Sequence, residues 1–155
     1  MRRIALLGCA LLVAGCSTKE TPPAADTTAV APAPATAPAM SLESVTGTWN
    51  FRVLAMDKDT ALTTHVLTAT ADPAGWSFVQ ADGEKVAVRN VAVSGDSLTS
   101  DAGPFSSGVR QGMRVREIHS VYRMQDGKLV GIVTARYDNA GADSVRQFRL
   151  EGTKQ

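Results

Sequence analysis

Short runs rich in valine, threonine and isoleucine alternate with turn residues from Ser41 to the C-terminus. Their β-branched side chains pack well on a pleated sheet, and helical periodicity is scarce in this part of the chain. The pattern predicts an all-β domain over residues 41–155 with eight strands: Thr48–Met56, Thr64–Ala71, Gly75–Gln80, Lys85–Val93, Ser97–Ser100, Met113–Met124, Lys128–Tyr137 and Ser144–Gly152.

Within several of these strands apolar and polar positions alternate, as expected of a sheet with one buried face. The seventh predicted strand has two faces of different character. One face carries Leu129, Gly131, Val133, Ala135 and Tyr137. The other carries Val130, Ile132, Thr134 and Arg136. Which face is buried depends on the strand register, and the sequence leaves the register open.

Two turns consist of Asp-Gly between apolar runs, the strongest sequence cue for a tight β-hairpin. They are Asp82-Gly83 and Asp126-Gly127. Connections this short pair neighbouring strands antiparallel, in an up-and-down meander. Eight such strands remove their exposed edges by closing into a small antiparallel barrel, which is the fold we favour. A two-sheet β-sandwich is the alternative.

The first predicted strand opens with Gly47-Thr48-Trp49, preceded by Ser41-Leu42-Glu43-Ser44-Val45. This opening resembles that of the lipocalins and the wider calycin group, in which a short helical turn leads into a Gly-x-Trp motif. The resemblance covers the opening motif, the number of strands and the length of the domain. The second lipocalin motif, a Thr-Asp-Tyr near the far hairpin, is not present.

The resemblance implies that Gly47 and Trp49 plug the closed end of a barrel. In the family an arginine late in the chain packs on the indole face, as a cation–π contact. Arg146 and Arg149 of the last predicted strand are the candidates for that contact.

The first 15 residues have the organisation of an export signal. Met1-Arg2-Arg3 is a short cationic segment, and the apolar run from Ile4 to Val13 is too short to span a bilayer, which needs about 20 residues. The next residues, Val13, Ala14, Gly15 and Cys16, resemble the lipobox of bacterial lipoproteins. A competing motif ends at Cys9, but the apolar run before it is too short to serve as a signal.

The lipobox resemblance implies that residues 1–15 are a signal peptide, cut before Cys16, and that Cys16 carries a covalent lipid. Two or three acyl chains anchor a protein stably, whereas one chain binds a membrane only marginally. In such lipoproteins Asp after the cysteine favours the inner membrane, and Ser17 here favours sorting to the outer membrane. We therefore expect lipid anchoring at the bacterial outer membrane, facing the periplasm, with the inner membrane and the cell surface as alternatives. An ordinary signal peptide with an incidental cysteine is the alternative.

Residues 16–40 are dominated by alanine, proline and threonine and contain hardly any large apolar side chain. A segment of this composition cannot bury enough surface to offset its chain entropy. The sequence therefore predicts a lipidated, disordered stalk that tethers the domain over residues 41–155.

Charge and cysteine content exclude some classes of protein. Removing residues 1–15 takes away Arg2 and Arg3 and leaves 14 basic against 15 acidic residues, a net charge of −1. A near-neutral chain lacks the basic surface of a nucleic-acid binder, so no nucleic-acid partner is expected. Both cysteines, Cys9 and Cys16, precede the predicted domain, which therefore has no disulfide and no thiolate metal ligand.

The only histidines are His65 and His119, and zinc needs three or four ligands. Glu117 is the one carboxylate with ligand-like spacing to either of them. We interpret both histidines as partly exposed sheet residues. The sequence thus predicts no metal site, no catalytic residue and no cofactor beyond the covalent lipid on Cys16.

The longest irregular stretch of the predicted domain is Asp101–Gly112, which contains Phe105, Val109 and Arg110. Long loops in compact domains often carry function. We identify this stretch as a candidate loop at the barrel mouth, where it would act as a lid. A plain strand connection is the alternative.

Three functions are consistent with these features. We favour a non-enzymatic binding module that holds a small amphiphilic ligand in the barrel lumen. A structural or protein-interaction domain with a filled barrel is the second, because eight-stranded barrels are either filled or hollow. A hydrolase ranks last, since the chain has neither a Gly-x-Ser-x-Gly motif nor a metal constellation.

Overall fold

The computed structural model describes residues 39–138 and 140–155. The predicted signal peptide, the lipobox and nearly all of the predicted stalk lie outside these residues. The described part begins with a single helical turn, α1, and continues with nine strands. Their bounds are α1 Leu42–Val45, β1 Gly47–Leu54, β2 Ala61–Ala69, β3 Ser77–Gln80, β4 Lys85–Ser94, β5 Ser97–Ala102, β6 Phe105–Ser106, β7 Arg114–Gln125, β8 Lys128–Tyr137 and β9 Val145–Lys154.

Eight of the strands close into an antiparallel barrel. Strands β1 to β5 pair in chain order, β5 pairs with β7, and β7, β8 and β9 again pair in order. The ladder closes because β9 pairs with β1, from Trp49 opposite Lys154 to Leu54 opposite Arg149. Closure leaves no open edge among these eight strands. The predicted barrel is therefore confirmed, and the sandwich alternative is wrong.

The additional strand, β6, continues the barrel wall beyond the end of β5. It pairs with the first residues of β7, Phe105 opposite Val115, while β5 pairs with the later part of the same strand. The predicted irregular stretch Asp101–Gly112 is therefore partly wrong, since its first residues complete β5 and Phe105–Ser106 form β6. The remaining eight strands correspond to the eight predicted ones, with ends that differ by a few residues.

The barrel core is built from the inward residues of each strand, which alternate with outward polar ones. In β8 the face that starts at Leu129 points inward, and Leu129, Val133, Ala135 and Tyr137 are buried. Gly152 of β9 lies opposite Phe51 of β1, and a Cβ atom there would lie 2.6 Å from the phenyl ring. The missing side chain at Gly152 therefore makes room for the Phe51 ring inside the barrel.

One end of the barrel is closed by α1 and Trp49. The helical turn is held by a capping box in which the Ser41 and Ser44 side chains each accept a hydrogen bond from the other's backbone N–H. Val45, at the end of the turn, is fully buried, and its carbonyl accepts a hydrogen bond of 2.7 Å from the Trp49 indole N–H. The indole is thus fixed at both its apolar face and its polar edge.

The cation over the Trp49 indole is Lys154, not one of the two predicted arginines. The Lys154 ammonium lies 5.5 Å from the ring centroid. Gly47 permits this position, because a Cβ there would lie 2.8 Å from the Lys154 side chain, and its φ of +134° suits glycine.

The two arginines point away from the plug. Arg149 donates to the carbonyl of Ala55 and to the Asp59 carboxylate, in the loop between β1 and β2. Arg146 forms an ion pair with Asp143 in the connection between β8 and β9. Arg149 lies on the outer face of β9, opposite Ile132, whereas Arg146 lies opposite Ala135 at the mouth end of the strand. Neither arginine contacts the indole, so the predicted arginine contact is wrong.

The candidate ligand cavity

An internal cavity of about 70 Å³ lies in the barrel lumen, between the Trp49 plug and the opposite end. Its walls come from inward residues of the strands and from the loop that follows β6. Among the described residues, those that line it include no Asp, Glu, Lys or Arg. The space is therefore apolar and uncharged, apart from a few hydroxyl, amide and imidazole groups.

Aromatic rings fill much of the lumen around this cavity. Phe51 and His65 stack face to face, with centroids 5.1 Å apart and 10° between their planes. Phe78 lies 5.1 Å from His65 and meets Phe105 edge to face at 5.4 Å. Tyr122 contacts Phe51 from the other side, at 5.6 Å. Because these rings occupy the barrel centre, the remaining space is small.

His65 is a half-buried sheet residue, as the sequence predicted, and its ring lies on the inward face of β2. Its imidazole is packed between Phe51 and Phe78 and lines the cavity. Burial among these rings lowers the pKa of His65 from 6.5 to about 4. At neutral pH the imidazole is therefore uncharged, and the lumen stays without charge.

The half-buried imidazole of His65 makes the stability of the barrel depend on pH. Between pH 6.5 and pH 4 the unfolded chain binds a proton at His65 that the folded chain does not. Stability is therefore complete above pH 6.5 and falls by roughly 3 kcal/mol as the pH drops to 4. Urea unfolding across this range should show the loss in the natural chain and a smaller loss in His65→Phe. Parallel pH profiles for the two chains would contradict a neutral, half-buried His65.

Three hydroxyl groups face the lumen midway along the barrel. Ser100 of β5 and Ser120 of β7 lie directly opposite each other, and both are almost fully buried. Burial raises the pKa of Tyr122, an effect that the neighbouring hydroxyls of Ser120 and Ser100 oppose. By distance and angle together, Ser120 Oγ makes no hydrogen bond among the described residues, although it lies near enough to Tyr122 to oppose the rise in the pKa of that phenol. An unsatisfied buried hydroxyl costs about 1–3 kcal/mol, so this group needs an explanation.

The cavity reaches the end of the barrel opposite Trp49, where residues 107–113 form the mouth loop. Ser107 N–H donates to the carbonyl of Met113 at 3.0 Å and so closes the base of the loop. The Ser107 side chain accepts from the backbone of Arg110 at 2.9 Å. Of the residues singled out from the sequence, Phe105 is buried in β6 and lines the cavity, and Val109 of the mouth loop also lines it.

On one side, Arg110 attaches the mouth loop to the end of β8. Its guanidinium lies 5.0 Å from the centroid of the Tyr137 ring and donates to the carbonyl of Asp143 at 3.1 Å. Arg110 therefore lies at the rim of the cavity, outside its apolar interior.

On the other side, the β3–β4 hairpin holds the start of the loop. Gln80 donates to the carbonyl of Ser106 at 3.0 Å, and the Glu84 carboxylate accepts from the N–H of Ser106 at 3.0 Å. Gly108 is so close to Thr63 that a Cβ would lie 3.0 Å from the threonine hydroxyl. The mouth loop thus crosses the barrel end and is held there only by non-covalent contacts.

The second histidine lies on the outer surface, on the far side of the barrel wall from the lumen. His119 Nδ1 is 2.7 Å from a carboxylate oxygen of Asp101, and Asn90 donates to the other oxygen at 2.9 Å. The carboxylate partner of His119 is therefore Asp101 of β5 and not Glu117 of its own strand. Within residues 39–138 and 140–155, no three His, Cys, Asp or Glu side chains cluster to hold a metal ion.

Sequence reasoning missed the hydroxyl groups of Ser100, Ser120 and Tyr122 and the contacts of Gln80 and Glu84. The only available signal was alternation, which puts Ser120 and Tyr122 on one face of β7. The cross-strand register that joins them to Ser100 is not visible in the sequence.

Comparison with known proteins gives no match: no family model, no curated protein and no solved structure matches the chain. No helix among the described residues is both long and apolar enough to cross a membrane. The functional interpretation therefore depends on the geometry of the lumen and on the N-terminal motif.

Proposed function

We propose that this chain is a lipid-anchored lipoprotein of the bacterial envelope whose barrel binds a small amphiphilic molecule without converting it. The lumen cavity is the observation that carries the proposal. It is apolar, uncharged and lined in part by an unpartnered hydroxyl, and it lies behind a loop that only non-covalent contacts hold. Ligand pockets typically combine apolar walls with a few placed polar groups.

The opening motif supports a lipocalin-like relationship. A helical turn leads into Gly47-Thr48-Trp49, and the indole is buried at the closed end of an eight-stranded barrel. Lys154 takes the place of the family's arginine over the indole. A lipocalin-like barrel binds its ligand between this plug and the opposite mouth, which is where the cavity lies.

The N-terminal motif supports the membrane address. Val13, Ala14 and Gly15 precede Cys16 in the order that lipoprotein processing requires, and Ser17 favours the outer membrane. Acylation of Cys16 would supply the chains needed for stable anchoring. A barrel tethered in this way would meet amphiphilic molecules at the periplasmic face of the membrane.

A structural or protein-interaction barrel is the second candidate, and the small cavity volume favours it. An engineered apolar cavity of about 150 Å³ binds benzene, about twice the volume found here. A lipid chain would therefore fit only if Phe105 of β6 or the mouth loop with Val109 moved. The ligand we propose is small, or only its smallest part enters the lumen.

Ligand binding should raise thermal stability, because a molecule that binds only the folded chain stabilises it. We expect an extract of bacterial envelopes to raise the melting temperature of the chain from Ser17 to Gln155 by roughly 4 °C or more. The barrel core and its complete ladder lie within residues 40–155, so this chain retains both. Ala135→Leu, which fills the cavity, should abolish the rise. Equal shifts in both chains would place binding outside the lumen, and no shift would favour a filled barrel.

A further inference from the structure

We infer that the lumen selects neutral ligands that carry one hydrogen-bonding oxygen and rejects charged ligands. The hydroxyls of Ser100, Ser120 and Tyr122 would bind that oxygen. This inference rests on the proposed function and adds the chemical class of the ligand. Two independent observations carry it: the position of the hydroxyl groups and the absence of charge among the described residues of the cavity wall.

The hydroxyl groups form the polar floor of the cavity. Ser100 and Ser120 face each other across the β5–β7 pair, one inward position nearer the mouth than Leu98 and Tyr122. On the mouth side the next inward pair is Ala102 and Ile118, which also line the cavity. The small Ala102 side chain leaves space directly above the hydroxyls. A ligand in that space would have its polar atom on the floor and its apolar part toward the mouth.

The unpartnered Ser120 oxygen sets the requirement for an oxygen-bearing ligand. A hydroxyl can both donate and accept, so it pairs equally well with a carbonyl, an ether or another hydroxyl. A pure hydrocarbon would leave the Ser120 group unsatisfied, and sites with buried polar groups discriminate strongly against analogues that lack the matching atom.

The residues of the cavity wall disfavour charged ligands. No cation among its described residues is available for a carboxylate, and His65 is neutral at physiological pH. Arg110 and Arg146 lie at the mouth end, and both are already engaged. Arg110 contacts the Tyr137 ring and the Asp143 carbonyl, and Arg146, opposite Ala135, forms an ion pair with the Asp143 carboxylate. Moving an unpaired charge into apolar surroundings is strongly unfavourable. A cationic ligand would find no carboxylate among these residues and could be held only by cation–π contacts with the aromatic rings.

Four probes with the same number of non-hydrogen atoms separate these requirements. Butan-2-one is neutral with one oxygen, 2-methylbutane is its hydrocarbon isostere, propanoate is the anion and tetramethylammonium the cation. Each would be titrated at pH 7 into the chain from Ser17 to Gln155, with the shifts of Ala102, Ser120 and Ala135 resonances followed by NMR. We expect butan-2-one to bind at least about fivefold more tightly than 2-methylbutane, the gain from one satisfied hydrogen bond. We expect a preference of at least about the same size over the two ions, because each would bring an unpaired charge into the lumen.

A pair of variants tests the role of the hydroxyl. Ser120→Ala removes a lumen hydroxyl and should weaken butan-2-one roughly three- to tenfold while leaving 2-methylbutane unchanged or tighter. Thr99→Val removes a hydroxyl from the outward face of β5 and should change neither affinity. If Ser120→Ala does not fold, the comparison of the four probes on the natural chain still decides the question.

The possible failures are distinguishable. The selectivity would be wrong if butan-2-one and 2-methylbutane bound equally tightly. It would also be wrong if propanoate or tetramethylammonium bound as tightly as butan-2-one. Binding in the lumen would stand in both cases. If none of the four probes shifts the lumen resonances, both the selectivity and the proposed binding function are wrong.

Discussion

Replacing Trp49 by alanine is expected to lower the free energy of unfolding by about 3–5 kcal/mol, a large share of the stability of a domain this size. The indole is 1% exposed, and its loss would leave a cavity at the closed end of the barrel. It would also leave the carbonyl of Val45 without its 2.7 Å hydrogen bond and Lys154 without its aromatic partner. Urea unfolding monitored by circular dichroism measures the change.

Trp49→Phe is the matched control for this prediction. It keeps an aromatic ring in the plug but removes the indole N–H, so we expect an intermediate loss of stability. A change below about half a kcal/mol for Trp49→Ala would be typical of a surface substitution. That result would mean that the indole does not act as the plug of the barrel.

Replacing Cys16 by alanine is expected to remove the protein almost completely from the membrane fraction. Without the thiol no lipid can be attached, and the apolar run from Ile4 to Val13 is too short to span the bilayer in place of the lipid. Each buried methylene of an acyl chain contributes about 0.8 kcal/mol to membrane binding, so the loss of two or three chains is decisive. The amount of protein that remains in carbonate-washed membranes is measured for the natural chain and for Cys16→Ala.

Cys9→Ala provides the control, because it removes the other cysteine of the chain and leaves the lipobox intact. We expect its membrane association to equal that of the natural chain. Retention of Cys16→Ala in washed membranes would contradict the lipoprotein interpretation. Loss of Cys9→Ala instead would show that the earlier cysteine is the one modified.

Local signals made the barrel predictable from the sequence. The Asp126-Gly127 turn has positive φ at both residues, 50° and 76°, as a two-residue hairpin of this type requires. Aspartate and glycine adopt this conformation readily, which is why the pair identifies the β7–β8 hairpin in the sequence. The alternation in β8 was equally informative, since a period of two residues is a direct consequence of the pleat.

Features that depend on long-range pairing could not be predicted. Asn90 has a φ of 52° within β4, at the point where the register with β5 shifts, and nothing in the sequence indicates this bulge. The contact between Lys154 and Trp49 depends on the register of the first and last strands, as does the facing of Ser100 and Ser120. Closure of the barrel decides such contacts, and local patterns carry no information about them.

Mass spectrometry under native conditions tests ligand binding in the lumen most directly. The chain from Ser17 to Gln155 would be exported behind a cleavable signal without a lipobox, purified from the periplasm and sprayed without denaturation, beside Ala135→Leu. We predict a discrete added mass on the natural chain that is lost on denaturation and absent from Ala135→Leu. An unmodified mass for the natural chain, unchanged after incubation with an envelope lipid extract, would contradict lumen binding and favour a filled structural barrel.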